Sequence, residues 1–270
     1  MNYGNVGSWL GLPFLTKYIC KIEFQSSEKD ILSLPAMGHK KLIRFEEIKT
    51  FPNVLQYPTD MPGNWSKFFG NANPLVLELA CGKGEYAVGL GSLYPGKNFI
   101  GVDLKGNRIW VGAKKALSEN LKNVAFLRSQ IDKVDSYFAA GEVESIWITF
   151  PDPQLRLSKA KKRLTHPRFL RLYQRFLKPG GTIHLKTDSP NLYAFTRTVI
   201  DINNLELLES SDDVYAGETI SRELQIKTYY EGLDIAGSKK VHYLCFRIDS
   251  NLDHSNDALL KQKISEIEID

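Results

Sequence analysis

The chain reads as an α/β protein built on a mostly parallel sheet with helices on both faces. Three observations predict this. From residue 74 onward, short apolar runs alternate with stretches of helical periodicity, the pattern of repeated strand–helix units. The first run, Leu75-Val76-Leu77-Glu78-Leu79-Ala80, enters a glycine-rich turn, Cys81-Gly82-Lys83-Gly84, that opens a helix. Two later runs lead directly into acids, Asp103 and Asp152, so charged side chains gather beyond the carboxyl ends of strands, where such sheets bind ligands.

The elements follow in order. After the first strand and turn, residues 85–93 form a helix. Asn98-Phe99-Ile100-Gly101-Val102-Asp103 is a second strand, 107–120 a helix, 123–127 a third strand, 131–138 a short helix and 145–149 a fourth strand. Residues 167–177 carry a helical stripe (Phe169, Leu170, Leu172, Tyr173, Phe176, Leu177). Lys178-Pro179-Gly180-Gly181 stops it, because proline cannot continue a helix and glycine supplies a left-handed turn. Residues 182–186 are a fifth strand, 192–202 a helix, and 240–248 a late strand by alternation. This core domain covers 74–248. Residues 1–36 have no clear period and form an N-terminal extension; 37–73 are a basic N-terminal segment; 249–270 are a polar tail, a loose helix or disordered.

At 270 residues, one large α/β domain with terminal extensions is expected. The net charge of +4 identifies no partner, but its distribution is uneven. From 156 to 178 the chain carries Arg156, Lys159, Lys161, Lys162, Arg163, Arg168, Arg171, Arg175 and Lys178 with no acid, a patch suited to a polyanion. Cys20, Cys81 and Cys245 lie far apart with no His at ligand spacing, which argues against a disulfide framework or a metal site and fits a reducing cytoplasm. No apolar run is long enough to span a membrane, and residues 1–20 make a poor signal peptide.

Phe150-Pro151-Asp152-Pro153 follows the fourth strand. Two prolines fix φ on either side of Asp152, so the loop holds one carboxylate in place beside the polycation; a solvated surface loop is the plain alternative. In the glycine turn, Glu78 lies within the strand and faces the loop, where a carboxylate would repel a pyrophosphate but suit the amino or sulfonium group of S-adenosylmethionine. Asp103 can accept both hydroxyl hydrogens of a ribose. For both acids the alternative is a structural carboxylate capping loop amides. The spacing favours S-adenosylmethionine over a dinucleotide.

Leu77-Glu78-Leu79-Ala80-Cys81-Gly82-Lys83-Gly84-Glu85, Phe99-Ile100-Gly101-Val102-Asp103, Phe150-Pro151-Asp152-Pro153, Lys186-Thr187-Asp188 and Thr228-Tyr229-Tyr230-Glu231 occur in one order. With them the chain resembles the tRNA (guanine-N7-)-methyltransferases, which methylate guanine 46 of the variable loop, over about residues 37–248. The resemblance implies a Rossmann-like class I S-adenosylmethionine-dependent methyltransferase with a seven-stranded sheet. It implies cofactor contacts from Glu78, Gly82, Asp103, Gln130 and Asp152. Substrate contacts fall to Arg156, Asp188, Thr228, Tyr229, Tyr230 and Glu231, and RNA contacts to Ser158, Lys159, Ala160, Lys161, Lys162 and Arg163. Asp152 is the catalytic candidate. Guanine N7 carries a lone pair and no proton, so Asp152 is expected to orient the purine and stabilise its developing charge rather than act as a general base. Departures from the family pattern are Ala80 for glycine, Gln130 for aspartate, Arg156 for lysine and Gln154 for tryptophan. The family's usual beginning matches Met37-Gly38-His39-Lys40-Lys41, which makes 1–36 an upstream extension or a misassigned start.

Plain readings remain beside these: Asp188 as a cap on the helix near Pro190, Thr228 and Glu231 as helix-surface residues, and His166, His184 and His242 as packing or surface histidines. Other S-adenosylmethionine enzymes acting on DNA or protein nitrogen, and a non-catalytic tRNA-binding subunit, are the competing functions. A soluble cytoplasmic monomer or homodimer acting on tRNA, with no metal and no membrane, is expected.

Overall fold

Strands β2 (Leu75–Leu79) and β3 (Asn98–Asp103) are buried at every position, as parallel strands covered on both faces must be. The computed structural model describes residues 36–249 and 252–267. The expectations for residues 1–35, Cys20 among them, lie outside the described residues. The chain divides into two compact units, Met1–His39 and Lys40–Asp270, and every described strand belongs to the second.

Before β2 come helix α1 (Ala36–Glu47), a short strand β1 (Val54–Gln56) and a one-turn helix α2 (Trp65–Phe69). The alternation then runs α3 (Glu85–Leu93), β3, α4 (Gly106–Ser118), β4 (Val124–Arg128), a 3₁₀ segment (Ile131–Tyr137) and β5 (Val143–Thr149). A 3₁₀ segment (Leu157–Lys162), α5 (Pro167–Tyr173), β6 (Leu177–Thr187), α6 (Pro190–Ile202), β7 (Leu207–Ser211), β8 (His242–Arg247) and α7 (Asn256–Ile267) complete it.

Among the described residues the sheet has eight strands in the order β1-β4-β3-β2-β5-β6-β8-β7, all parallel except β8. The sheet thus exceeds the expected seven strands by the three-residue edge strand β1, paired with β4. β6 starts earlier than its periodicity predicts. Leu177 pairs with Val143 and Thr182 with Ser145, so Lys178 to Gly181 bulge out of register while remaining in the strand. The helix before it accordingly ends at Tyr173. The polar tail contains α7, whose Leu260 and Ile264, with Leu252, join the core.

Residue alternation divides the core between the two faces. Leu77, Leu79, Ile100, Ile146 and Ile148 face α5, α6 and α7 through Phe169, Leu170, Phe195, Val199 and Leu260. Val76, Phe99, Phe126 and Trp147 face α3 and α4 through Tyr86, Leu90, Ile109 and Ala113. Over the rest of that second face the cover is the irregular connection 212–241, through Val214, Leu224 and Val241. From β2 the chain winds outward through β3 and β4, then returns to lay β5 on the other side of β2. That reversal opens a crevice beyond the ends of β2, β3 and β5.

Candidate active site

The turn after β2 is built for close approach. Ala80, Gly82 and Gly84 all take left-handed φ, at +55°, +57° and +71°. At Gly84 a Cβ would lie 2.3 Å from the Phe126 ring, so only glycine fits. Asp103 organises this turn: its Oδ2 accepts from Gly82 N–H at 2.9 Å and its Oδ1 from Lys105 N–H at 2.7 Å.

Glu78 is only 2% exposed. Its Oε2 accepts from Ala87 N–H at 2.8 Å and its Oε1 from Thr149 Oγ at 3.0 Å, joining β2, α3 and β5. Burial pushes its carboxyl up to about 8 from the ordinary 4.5, partly opposed by the two hydrogen bonds. In the fold the neutral form is therefore favoured. Its stabilisation is complete below about pH 4.5 and declines by about 1.4 kcal/mol per pH unit until the folded value near 8 is passed. Glu78→Gln, which cannot ionise, should gain stability relative to wild type between about pH 5 and about pH 8 in urea titrations. A pH-independent difference would contradict this assignment.

The loop after β5 is held from both sides. Phe150 and Gln154 take left-handed φ of +46° and +49°, unusual for side chains other than glycine. Phe150 N–H donates to Lys186 O at 2.8 Å. Between them Asp152 is exposed, and its Oδ1 accepts from Gln154 N–H at 3.0 Å. Behind the loop lies Arg163, 0% exposed. Its guanidinium donates to the carbonyls of Pro153 (3.1 Å), Gln154 (3.1 Å) and Leu155 (3.4 Å) and covers the Phe195 ring at 4.5 Å. The resemblance places Arg163 among the RNA contacts; its burial makes it a clamp on the Asp152 loop instead. Ala160 is buried as well.

A cleft of about 500 Å³ opens beyond these strand ends, lined by Ala80, Asp103, Ser129, Gln130 and Gln154 among others. Gln130 is exposed there, and its carbonyl accepts from Lys133 N–H at 3.1 Å. Leu104 and Ser129 also line the cleft; each follows a strand's carboxyl end, a position that could have marked them in the sequence.

The segment 228–231 packs against the glycine turn. Tyr229 N–H donates to Glu85 Oε1 at 3.3 Å, and Lys83 Nζ lies 3.2 Å from the Tyr229 ring centroid. A Cβ on Gly82 would touch Tyr230 at 3.4 Å. Tyr229 is 51% exposed, whereas Thr228 is buried and its Oγ accepts from Glu231 N–H at 3.1 Å. Asp188 Oδ2 accepts from Ala236 N–H at 3.3 Å. The cap of α6 is Ser189, whose Oγ accepts from Leu192 N–H, so Asp188 is not that cap. His166 caps α5 through Nδ1, His184 stacks on Trp147, and His242 stacks on Tyr193. Burial lowers His166 and His184 to about 4.

Residues 72–243 match a family described as putative methyltransferases. A tRNA (guanine-N(7)-)-methyltransferase of Bacteroides thetaiotaomicron is 44% identical over 243 residues, spanning 87% of this chain and 93% of the relative. Its counterpart in Porphyromonas gingivalis is 49% identical over 211 residues, spanning 74% and 86%. The chain belongs to the tRNA (guanine-N(7)-)-methyltransferase family. A solved structure described as an antibiotic-related methyltransferase superposes with a TM-score of 0.53 at 14% identity, covering 73% of this chain and 96% of that one, which supports the class I S-adenosylmethionine methyltransferase fold.

In this member of the tRNA (guanine-N(7)-)-methyltransferase family, the basic run is thinner than its sequence implies. Arg168 pairs with Asp132, Arg171 with Asp257, Arg175 with Asp135 and Lys178 with Glu144, while Arg163 is buried. Arg156, Lys159, Lys161 and Lys162 stay exposed, with no ion pair among the described residues. Ser158 is exposed beside them. Among the described residues no helix is long and apolar enough to cross a membrane, and no cluster of three or more His, Cys, Asp or Glu could hold a metal ion.

Proposed function

We propose that the chain transfers a methyl group from S-adenosylmethionine to N7 of guanine in tRNA, at position 46 of the variable loop. The carrying observation is the convergence, in a chain of this family, of an exposed and rigidly held Asp152, a cleft of nucleoside size and four surface cations without ion pairs among the described residues.

The cleft suits the cofactor: Asp103 offers its oxygens toward ribose hydroxyls, Gln130 an amide toward the adenine edge, and the Gly82 turn lets backbone approach closely. Glu78 supplies a carboxyl behind the turn that ionises more readily beside a cation. When bound, S-adenosylmethionine supplies an electrophilic methyl on a sulfonium.

The protein's remaining work is alignment, since guanine N7 has no proton to remove. Asp152 is assigned to the purine, accepting from its N–H edge and placing negative charge where positive charge develops. Arg156, Asp188 and the segment of Thr228, Tyr229, Tyr230 and Glu231 complete the substrate side. Lys159, Lys161 and Lys162 hold phosphates, with Ser158 at the start of their turn. The enzyme acts in the cytoplasm, where the buried thiols Cys81 and Cys245 stay reduced, as a monomer or homodimer.

The deciding experiment maps the modified nucleotide after unmodified tRNA is incubated with the protein and methyl-labelled cofactor. Label in 7-methylguanosine at position 46 is expected; label at another nucleotide overturns the position, and no transfer overturns the reaction. Replacing Lys159, Lys161 and Lys162 together with Ala should weaken tRNA binding and reduce the slope of log K against log salt by roughly 2 or more, with cofactor affinity nearly unchanged. An unaltered slope in filter binding would remove these lysines from the RNA interface.

A further inference from the structure

The connection 212–241 covers sheet that a helix would otherwise cover, and beside the contacts from Tyr94, Glu85 and Asp188 a buried lysine anchors it. Lys186, the penultimate residue of β6, is 0% exposed. Its ammonium donates to the carbonyls of Leu224 (2.9 Å) and Ile226 (3.0 Å), to the Tyr215 hydroxyl (3.4 Å) and to Glu231 Oε2 (3.0 Å). The rings of Tyr86, Phe150 and Tyr215 surround it at 5.5, 5.7 and 5.6 Å. Its own carbonyl accepts Phe150 N–H, the first amide of the Asp152 loop. One residue therefore grips both walls of the substrate site, the loop by its backbone and the 224–231 segment by its side chain.

Glu231 has little left to offer a base. Its side chain is 6% exposed, with Oε2 on Lys186 and Oε1 on the Tyr215 hydroxyl. Within 228–231 the side chain most open to solvent is the Tyr229 ring, 51% exposed, with Tyr230 half-buried beside it. We infer that Lys186 is a positioning residue for methyl transfer, and that Glu231 serves the reaction through Lys186 rather than by touching guanine. A buried ammonium is costly unless fully paired, so the ion pair and carbonyls hold the connection in one arrangement. Burial lowers the Lys186 pKa while Glu231 opposes that fall, in keeping with an ammonium dependent on its partner.

The inference rests on the tRNA-methylating reading, and wild type in the same assay separates the two: a wild type that transfers no methyl to tRNA fails that reading, not this one. The variants are Lys186→Met, Glu231→Gln and the pair, with single-turnover rates normalised to cofactor-binding sites counted by calorimetry. Lys186→Met should slow methylation by about 100-fold at cofactor affinity within about threefold of wild type, and the pair should be no slower than Lys186→Met within about threefold. Trypsin should cut faster at Arg222 and Lys227. A Lys186→Met rate within about threefold of wild type, or multiplying effects in the pair, overturns the inference. If Lys186→Met binds no cofactor, Glu231→Gln decides alone: a slower rate with faster cleavage supports the latch, and any other combination overturns it.

Discussion

Asp152→Ala should lower the single-turnover rate of tRNA methylation on the order of 100-fold or more. The loop is rigid enough for the effect to be local. Asp152 is exposed and its carboxylate accepts from the next-but-one amide, so its removal leaves the Arg163 clamp and the Phe150 anchor in place. Folding stability should therefore change by less than about 1 kcal/mol. Asp152→Asn keeps the local turn but loses the charge, so it should be slowed nearly as much if charge on the purine is what matters. Near-normal turnover in either variant, measured by rapid quench with saturating tRNA, would take Asp152 out of the chemistry.

The second large effect is at Arg163, two positions from Lys161. Arg163→Ala leaves three loop carbonyls without their donor and opens space beside Phe195, and should destabilise the fold by about 3 kcal/mol. Methylation should fall with it, because Gln154 holds left-handed backbone that the clamp sustains at the end of the Asp152 loop. The salt slope of tRNA binding should not change, in contrast to the lysine variants. Arg163→Lys should recover little, since a compact ammonium lacks the planar guanidinium that spreads its donors over Pro153, Gln154 and Leu155 while lying on the Phe195 ring. A reduced salt slope with intact stability would return Arg163 to the RNA surface.

That contrast marks where the sequence could and could not be read. β2 and β3 were legible because strands buried on both faces are continuous apolar runs. The glycine turn and the Phe150 loop announced themselves through residue types that few other conformations require. β1 and β7 did not: each is a short edge strand without an apolar run, half-buried or exposed along its length. α7 could be read only as a loose helix or disorder, because few of its residues reach the core. Arg163 looked like its neighbours, because a run of like charges carries no mark of the one member whose partners are carbonyls eight to ten residues earlier. Lys186 stood in a recognised motif, yet its burial depends on a connection that arrives about forty residues later. Glu78 and Asp103 could be placed, but whether such acids cap amides or face a ligand was not legible, and here both bind turn or helix amides.

The placement of β8 between β6 and β7 has a consequence for synthesis. The strands that frame the candidate cofactor cleft, β2 to β5, are complete by Thr149. The far half of the sheet cannot close until residue 247 has emerged, because β7 has no partner before β8 arrives. The latch from Lys186 to the 212–241 connection, which β8 must follow, closes at the same late stage. A nascent or prematurely terminated chain would thus shape the strands beneath that cleft first and the 212–241 connection last, leaving β6 and β7 with unpaired edges in the interval.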